Sequence, residues 1–341
     1  MGRVAPITEC PAAESTTCLH QSLARFNQQR LRPRTAQDCW ESELRLEFVL
    51  RSKELRFIEE QRRALAPILD SVPREADAFM RWFEDLKVSG PGQTDALFPW
   101  LAACADMKSM RWFLQQEIAG EAGFDDLVAL TQVRFPVRAK LELARTYWDE
   151  MGRGQEAGMH GPMLDRVAQE LKLHAQIEDT VWESLALANL MSGLATNRRY
   201  AYQSIGALGV IEMTAPGRVS QVNAGLARLA VPAPARAYFQ LHAGLDVRHS
   251  AAWNREVIRP LVESEPKLAR AIAEGALLRL QAGARCFERY RRCLITQPIY
   301  ARSPRASMQS IPQPAPAPQI DVVAAQKLVR NIGSVAEPRH R

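Results

Sequence analysis

The sequence predicts an all-α fold, a single-domain helical bundle with flexible termini. Three observations predict it. From Ala36 onward, nearly every segment repeats its apolar residues at the period of an α-helix. Alternating apolar and polar residues, which indicate strands, and Asn-Gly hairpin turns are nearly absent. Apolar residues make up 47% and charged residues 24% of the 341 residues, a balance that lets a chain of this length bury a large core.

Composition divides the chain into three parts. Residues 1–35 are polar and contain several prolines, so we expect a flexible N-terminal segment. Residues 36–297 carry the helical pattern and form the predicted domain. Residues 298–341 are basic and rich in Pro and Ala, a composition that favours an extended, solvated chain. We therefore expect the last part to be a disordered tail.

Breaks in the apolar pattern set the predicted helix boundaries. The first helix follows an apolar stripe that starts at Trp40 and continues through Leu65. We expect Pro73 in the first turn of the second helix, where proline is favoured. Thr94 or Asp95 can cap the third. The remaining predicted helices cover residues 94–117, 124–132, 137–151, 163 onward, 179–213, 235–258 and 260–294.

The positive charge lies at one end of the chain. The net charge is +6, and residues 285–341 alone carry +7, so the rest of the chain is nearly neutral. No RNA- or DNA-binding motif accompanies the basic segment, and nucleic acid is not an expected partner. No apolar run reaches the roughly 18 residues of a membrane span, so no membrane partner is expected either.

The N-terminal sequence and the cysteines indicate the expected compartment. Residues 1–17 lack the basic-then-apolar layout of a secretory signal. The six cysteines are scattered and form no C-x-x-C pair, so we expect free thiols rather than a cysteine-bound zinc. We expect the protein in the cytoplasm.

A first group of candidate ligands lies in the segment that contains His242, Asp246 and His249. At about 100° per residue, Asp246 lies about 40° from His242 on a helix, and His249 lies about 20° away on the other side. Apolar residues surround this stripe, so we expect it to face inward. Two imidazoles and one carboxylate suit a transition metal. The alternative is a solvated polar face, or a core histidine paired with its aspartate.

A second candidate pair is Glu150 and His160, ten residues apart with glycines between them. A rigid helix would leave them about 80° apart, but glycines let the backbone bend until both side chains reach one ion. Glu156 is a competing ligand, because its i, i+4 spacing places it on the same helix face as His160. The alternative reading of this segment is an ordinary glycine-rich helix end.

Glu117 and Glu212 are single carboxylates in apolar helical segments. Burial of a lone carboxylate costs several kcal/mol or raises its pKa, and a metal ion removes that cost. Each could instead be a helix cap or a surface acid. Considered together, four carboxylates and three imidazoles without a thiolate favour iron or manganese over structural zinc. Helical bundles build di-iron sites from ligands of this kind on several helices.

In the order, type and spacing of these residues, the sequence resembles the haem-oxygenase-like di-iron oxidases, often called iron-containing redox enzymes. The resemblance covers roughly residues 40–295, and it rests on Glu117, Glu150, His160, Glu212, His242, Asp246 and His249. It implies a seven-helix haem-oxygenase-like fold, these seven residues as ligands of two iron ions (Fe2+/Fe3+), and O2 as co-substrate. It also implies oxidation of a small metabolite, by N-oxygenation, desaturation or oxidative C–C cleavage of an amine, an amino-acid-derived compound or a fatty acid.

Three related kinds of helical protein fit the sequence less well. A haem oxygenase would need a histidine in the first core helix, and His20, in a segment expected to be a polar loop, is the only histidine before His160. A thiamin-degrading relative would need a cysteine beside a base, and a ferritin-like bundle would need Glu-x-x-His pairs. The alternative function is a non-catalytic helical binding or scaffold protein with a basic interaction tail. For the enzyme, we expect a small-molecule substrate. An external electron donor and a homodimer are both compatible with that expectation.

Overall fold

Helices account for nearly all of the chain between Thr16 and Leu294. The computed structural model describes residues 15–36, 39–121 and 123–295, and it contains no strand within these ranges, so the predicted all-α class is confirmed. The α-helices are α1 (Thr16–Leu31), α2 (Trp40–Leu69), α3 (Ala76–Ser89), α4 (Leu97–Ala103), α5 (Met107–Gly120), α6 (Phe124–Thr131), α7 (Val137–Glu150), α8 (His160–Glu170), α9 (Trp182–Thr196), α10 (Ala201–Arg228), α11 (Ala237–Trp253), α12 (Arg259–Ser264) and α13 (Leu268–Leu294).

The close crossing of α10 and α13 organises the core. Gly206 on α10 packs directly against the backbone of α13, and a Cβ at that position would overlap the carbonyl oxygen of Ile272. Gly275 on α13 packs in the same way against the carbonyl of Gln203. Only residues without a side chain allow two helix backbones to approach this closely. The crossing holds α10 between α13 on one side and α11 on the other.

The first helix differs from the prediction. Residues 16–31, which the composition predicts to be part of a flexible segment, form helix α1, and this helix packs against α2 and α9. Leu23 and Phe26 on one face of α1 are buried, and Arg30 forms a paired hydrogen bond to the fully buried Glu54 of α2 (2.6 and 3.2 Å). A narrow apolar stripe and one buried ion pair therefore outweigh a polar average composition.

Several helix boundaries also differ, because side-chain caps divide the predicted helices. The second helix starts at Ala76 rather than near Pro73, since the Glu75 carboxylate accepts hydrogen bonds from the first free backbone amides. Asp106 caps α5 in the same way and divides the predicted helix 94–117 into α4 and α5. Asn197 ends α9, and the segment before Pro266 separates α12 from α13.

The described residues, 15–36, 39–121 and 123–295, form one compact unit. Two regions of the predicted domain plan, residues 1–14 and the tail 298–341, lie outside the described residues. Among the described helices, none combines the length and the apolar character that crossing a membrane requires.

Candidate metal centre

Helix α11 presents three of the predicted ligands on one side. Asp246 and His249 are buried, and His242 is half-buried, while Val247 on the opposite face is 52% exposed. The stripe lies against α10, which carries the buried Glu212. The helical spacing of four and three residues therefore places the three side chains toward the interior of the bundle, close to a carboxylate from the central helix.

Glu150 and His160 meet through a tight reversal of the chain and not along one helix. Glu150 is the last residue of α7, and His160 is the first residue of α8. Two 3-10 turns connect them, and an isolated bridge pairs Met151 with Met159. Gly152 has φ +60°, and a Cβ at this position would overlap the backbone of Gly158. The glycines thus fold the segment back on itself and bring both ligands, which are buried, to one place.

The structure brings five of the seven predicted ligands into two groups that share one residue. In the first group, ligand atoms of Glu150, His160 and His242 lie within 4.8 Å of one another. In the second group, the same is true of Glu150, Glu212 and His249. Glu156, the competitor of Glu150, is exposed and belongs to neither group. Glu150 thus lies between the two groups, and it is the one carboxylate common to both.

The donor atoms of this cluster point toward shared space. Among the described residues, the buried atoms His160 Nδ1, Glu212 Oε1, Asp246 Oδ1 and His249 Nδ1 have no hydrogen-bond partner. They are nevertheless close to opposite partners, since His249 Nδ1 lies 3.4 Å from Glu212 Oε1, and His160 Nδ1 contacts Glu150 Oε2. Buried polar atoms are normally paired. These oxygen and nitrogen atoms converge without hydrogen-bond partners, and bound metal ions would serve as their partners.

Outer partners orient two of the imidazoles. His249 Nε2 lies 3.1 Å from Asp149 Oδ2, so Nδ1 is the ring nitrogen that faces Glu212. His242 Nδ1 lies 2.8 Å from the carbonyl oxygen of Tyr238, which leaves Nε2 as the ligand atom of that ring. A carboxylate or carbonyl behind a histidine fixes its tautomer and ring orientation, as is usual for metal-binding histidines.

Burial makes the cluster electrostatically unfavourable without a cation. Burial, aided by neighbouring carboxylates, raises the pKa of Glu150 to about 8 and that of Asp246 to about 9. Burial and nearby histidines lower the pKa of His160 to about 4 and that of His242 to about 3. Burial would also lower the pKa of His249, but Glu212 and then Asp149 raise it to about 9. Bound cations would favour ionised carboxylates and neutral imidazoles together.

Glu117 lies outside both groups. It lines the same cavity, of about 200 Å³, but its neighbours are the Tyr290 hydroxyl and the guanidinium groups of Arg279 and Arg218. Burial raises its pKa, and those three neighbours oppose the increase. Asp246 also belongs to neither group of three, although it is buried beside Glu212 and Glu150 and lines the cavity.

Three residues that line the cavity were not predicted from the sequence. Glu121 lies one helical turn after Glu117 and lines the cavity, but its side chain is solvent-exposed, and its carboxylate accepts a hydrogen bond from the Phe124 amide at 3.2 Å. Its i, i+4 spacing from Glu117 is a signal that could have identified it. Arg218 and Arg279 lie in apolar helical segments, and a charged residue in such a segment is a signal that could have identified them.

The cavity joins both ligand groups to an apolar chamber. Glu150, His160, Glu212 and His242 form one part of its wall, and aromatic and aliphatic side chains form much of the rest. His20 is not part of this wall. It lies in α1, not in a polar loop, and packs between Phe57 and Trp182 with ring-centroid distances of 4.7 and 5.8 Å. The chamber can therefore hold a small organic molecule beside a metal centre built from oxygen and nitrogen donors.

Comparison with known proteins agrees with this chemistry. A model of the iron-containing redox enzyme family matches residues 111–284. A search of curated proteins finds no match. The matched segment spans more than half of the 341 residues and contains every member of both ligand groups. Consequently, the chain belongs to the family of iron-containing redox enzymes, whose helical fold and iron-dependent oxidoreductase character it shares.

Proposed function

We propose that the protein is a non-haem di-iron oxidase or oxygenase that uses O2 to oxidise a small organic substrate. The observation that carries the proposal is the position of Glu150, which belongs to both ligand groups. One group alone would suit a single ion. Two groups with a common carboxylate would hold a pair of ions, to both of which Glu150 would be available, as helical di-iron proteins use shared carboxylates.

The donor set supports iron in both positions. We assign Glu150, His160 and His242 to one ion and Glu150, Glu212 and His249 to the other. Asp246, which is buried beside Glu150 and Glu212, would join them, and Glu117, which lines the same cavity, would complete the set. Carboxylate and imidazole without thiolate suit ferrous iron. When bound, the reduced iron pair supplies the electrons that activate O2.

The chain itself orients the ligands, moves protons and excludes water. Asp149 holds the His249 ring so that Nδ1 faces inward (Nε2 to Oδ2, 3.1 Å). Glu121 lines the cavity with a solvent-exposed side chain, whose carboxylate accepts a hydrogen bond from the Phe124 amide at 3.2 Å, so it can exchange protons with solvent. Phe98, Phe113 and Phe287 contribute apolar surface to the cavity. A small substrate can therefore replace water there without leaving buried polar groups unpaired.

The proposal includes two partners besides the substrate. Oxidation of a substrate by O2 with a reusable iron pair needs an external electron donor when the substrate supplies fewer electrons than O2 accepts. A second copy of the chain is the other expected partner. Trp40, Leu44 and Phe48 on α2 support it, because they lie one turn apart and are 57–73% exposed. Sedimentation of the purified protein measures the oligomeric state directly.

Iron binding and O2 consumption test the function. The metal-free protein is titrated with ferrous iron under anaerobic conditions, and bound iron is measured. We expect close to two ions per chain, and exposure to O2 should give a transient visible absorbance. The variant His242→Ala should lose iron, whereas His174→Ala, at an exposed histidine in the connection between α8 and α9, should not. Absence of tight iron in the wild type, or full retention in His242→Ala, would overturn the proposal. A substrate screen of O2 consumption by the loaded protein then identifies the reaction.

A further inference from the structure

Two arginines lie in the wall of the cavity that the metal ligands share. Arg218 is on α10 and Arg279 is on α13, so the close crossing of these two helices holds them at the same cavity. Burial, and then the charge of Arg279, lower the pKa of Arg218 to about 9. A ligand in this part of the cavity therefore meets two positive charges.

Packing holds the Arg218 guanidinium in place without using most of its donors. The group lies over the rings of Phe287 and Phe98, 5.4 and 6.0 Å from their centroids. Its hydrogen bond within the described part of the chain is to Thr214 Oγ1, at 3.0 Å. A guanidinium has five N–H donors in a planar fork. The remaining donors are thus free for a ligand in the cavity.

Arg279 is even less satisfied. Among the described residues, the Arg279 guanidinium has no hydrogen-bond acceptor and no carboxylate within the 4.0 Å of an ion pair. Arg218 likewise has no carboxylate within that distance. Glu117 and Glu121 act on Arg279 only as more distant charges. Both arginines are half-buried and line the cavity, so their unused donors are accessible to a ligand there.

We propose that Arg218 and Arg279 together bind a carboxylate of the substrate, and that the substrate is a small apolar monocarboxylic acid. This inference rests on the proposed function, since it concerns the same cavity. Planar guanidinium forks match a carboxylate in bidentate geometry. A carboxylate suits this end of the cavity, because neither Glu117 nor Glu121 lies within ion-pair distance of the two guanidinium groups. An amine at the same position would be repelled by both arginines.

The apolar wall determines the rest of the substrate. Phe98, Phe113, Leu187 and Phe287 leave the body of the ligand no polar partner, so a hydrocarbon or aryl chain fits there. With its carboxylate held at the arginines, such a chain is directed toward Glu150 and His242 along the same cavity. The arginine pair thereby selects which carbon of the acid lies nearest to the metal ligands, which makes Arg218 and Arg279 specificity-determining residues.

Calorimetric titration with matched probes tests the inference. The probes are 4-phenylbutyrate, 4-phenylbutyramide and 4-phenylbutan-1-amine, which share a body and differ in charge, with hexanoate and decanoate as additional chain lengths. Each is titrated into the full-length protein in two states, metal-free and ferrous-loaded without oxygen. We expect at least one carboxylate to bind about tenfold or more tightly than its neutral or cationic match in both states.

Variants assign that preference to the arginines. Arg218→Gln and Arg279→Gln should each lower carboxylate affinity about tenfold and leave amide affinity unchanged, and Arg218→Lys should retain part of it. Arg56→Gln, an exposed arginine on α2, is the matched control and should bind as the wild type does. Circular dichroism verifies that each variant is folded, and the comparison of probes on the wild type does not depend on the variants.

Three results would overturn the inference. They are equal binding of carboxylate and amide, no binding of any carboxylate, and a carboxylate preference that exists only with iron, which would assign the carboxylate to the metal. Failure of the proposed function looks different, because iron stoichiometry and O2 consumption would then fail while the metal-free protein still preferred the carboxylate.

Discussion

The Nε2 atom of His249 lies 3.1 Å from Oδ2 of Asp149, and Oδ1 of the same carboxylate accepts a hydrogen bond from Arg153 at 2.6 Å. Asp149 thus connects the end of α7 to α11 directly behind a candidate ligand. Burial would raise the pKa of Asp149, but the hydrogen bonds from Arg153 and His249 hold it below its usual value, so the group is ionised at neutral pH. An ionised partner fixes the imidazole tautomer and strengthens its other nitrogen as a ligand.

Replacement of this carboxylate should weaken the metal centre without removing a ligand. We expect Asp149→Asn to lower ferrous iron affinity about 10- to 100-fold, a range typical of such outer partners. Anaerobic titration with a competing chelator measures the affinity. Asp165→Asn, an exposed aspartate on α8, serves as the control. An unchanged affinity in Asp149→Asn would show that the contact has no role in orienting His249.

The shared position of Glu150 leads to a direct comparison with Glu156. Glu150→Gln keeps the side-chain shape but removes the charge common to both ligand groups, so we expect loss of most bound iron. Glu156→Gln changes an exposed carboxylate outside the groups and should retain it. Iron per chain is measured by a colorimetric assay after removal of free metal. If Glu156→Gln alone lost iron, the assignment of Glu150 would be wrong.

Metal binding should depend steeply on pH. Without metal, Glu150, Asp246 and His249 have pKa values of about 8, 9 and 9, so all three carry a proton at pH 7. Ligands must lose these protons before they coordinate. We therefore expect affinity to rise by about tenfold or more per pH unit from pH 6 to pH 8, because each released proton contributes about a factor of ten per unit.

Calorimetry in buffers with different ionisation enthalpies counts the protons that are released. Manganese(II) is a suitable air-stable metal for this measurement. An affinity that did not change across this range would mean that the buried acids are already ionised in the metal-free protein.

The segment between Glu150 and His160 offers a matched pair of glycine substitutions. Gly152→Ala introduces a side chain at φ +60° where it would overlap the backbone of Gly158, so we expect a loss of about 1–2 kcal/mol or more in unfolding free energy and weaker iron binding. Gly161→Ala adds a methyl group in helix α8 with open space around it, and it should stabilise by about 0.5–1 kcal/mol. Urea denaturation and iron stoichiometry test both. Equal behaviour of the two variants would contradict the tight reversal.

His20, far from the ligand groups along the chain, makes stability depend on pH. Burial, and then the charge of Arg285, lower its pKa from 6.5 to about 4. Below pH 6.5 the unfolded chain therefore binds a proton that the folded chain does not, and stability falls as the pH drops from 6.5 to 4. The loss should be about 2 kcal/mol at pH 5.

Urea denaturation between pH 7 and pH 5 checks this effect, and His20→Gln should remove its share of the pH dependence. An NMR titration of His20 gives a direct reading. A midpoint near 6.5 in the folded protein would contradict the burial that the structure shows.

The sequence was most informative where a regular spacing carried the signal. The i, i+4, i+7 pattern of His242, Asp246 and His249 correctly predicted one inward stripe, because helix geometry relates sequence spacing to direction without reference to the rest of the fold. It was least informative in α1, where Leu23 and Phe26 are buried because the helix packs against α2 and α9, elements that local composition does not reveal. Helix boundaries were missed where a single side chain, such as Asp106, ends one helix and starts another.

By itself, then, the sequence determined the all-α class, and it predicted the types of candidate ligand and their order along the chain. These properties depend on local periodicity and on donor chemistry. Only the tertiary structure decided that Glu150 joins two ligand groups, that Glu117 faces Arg218 and Arg279, and that Glu121 shares the cavity. The physical reason is that these relationships depend on where the glycine-rich reversal turns and on how closely α10 crosses α13. The reversal depends on a positive φ at Gly152 and its contact with Gly158, and the crossing depends on contacts such as that of Gly206 with Ile272, far apart in the chain, so helical periodicity encodes neither.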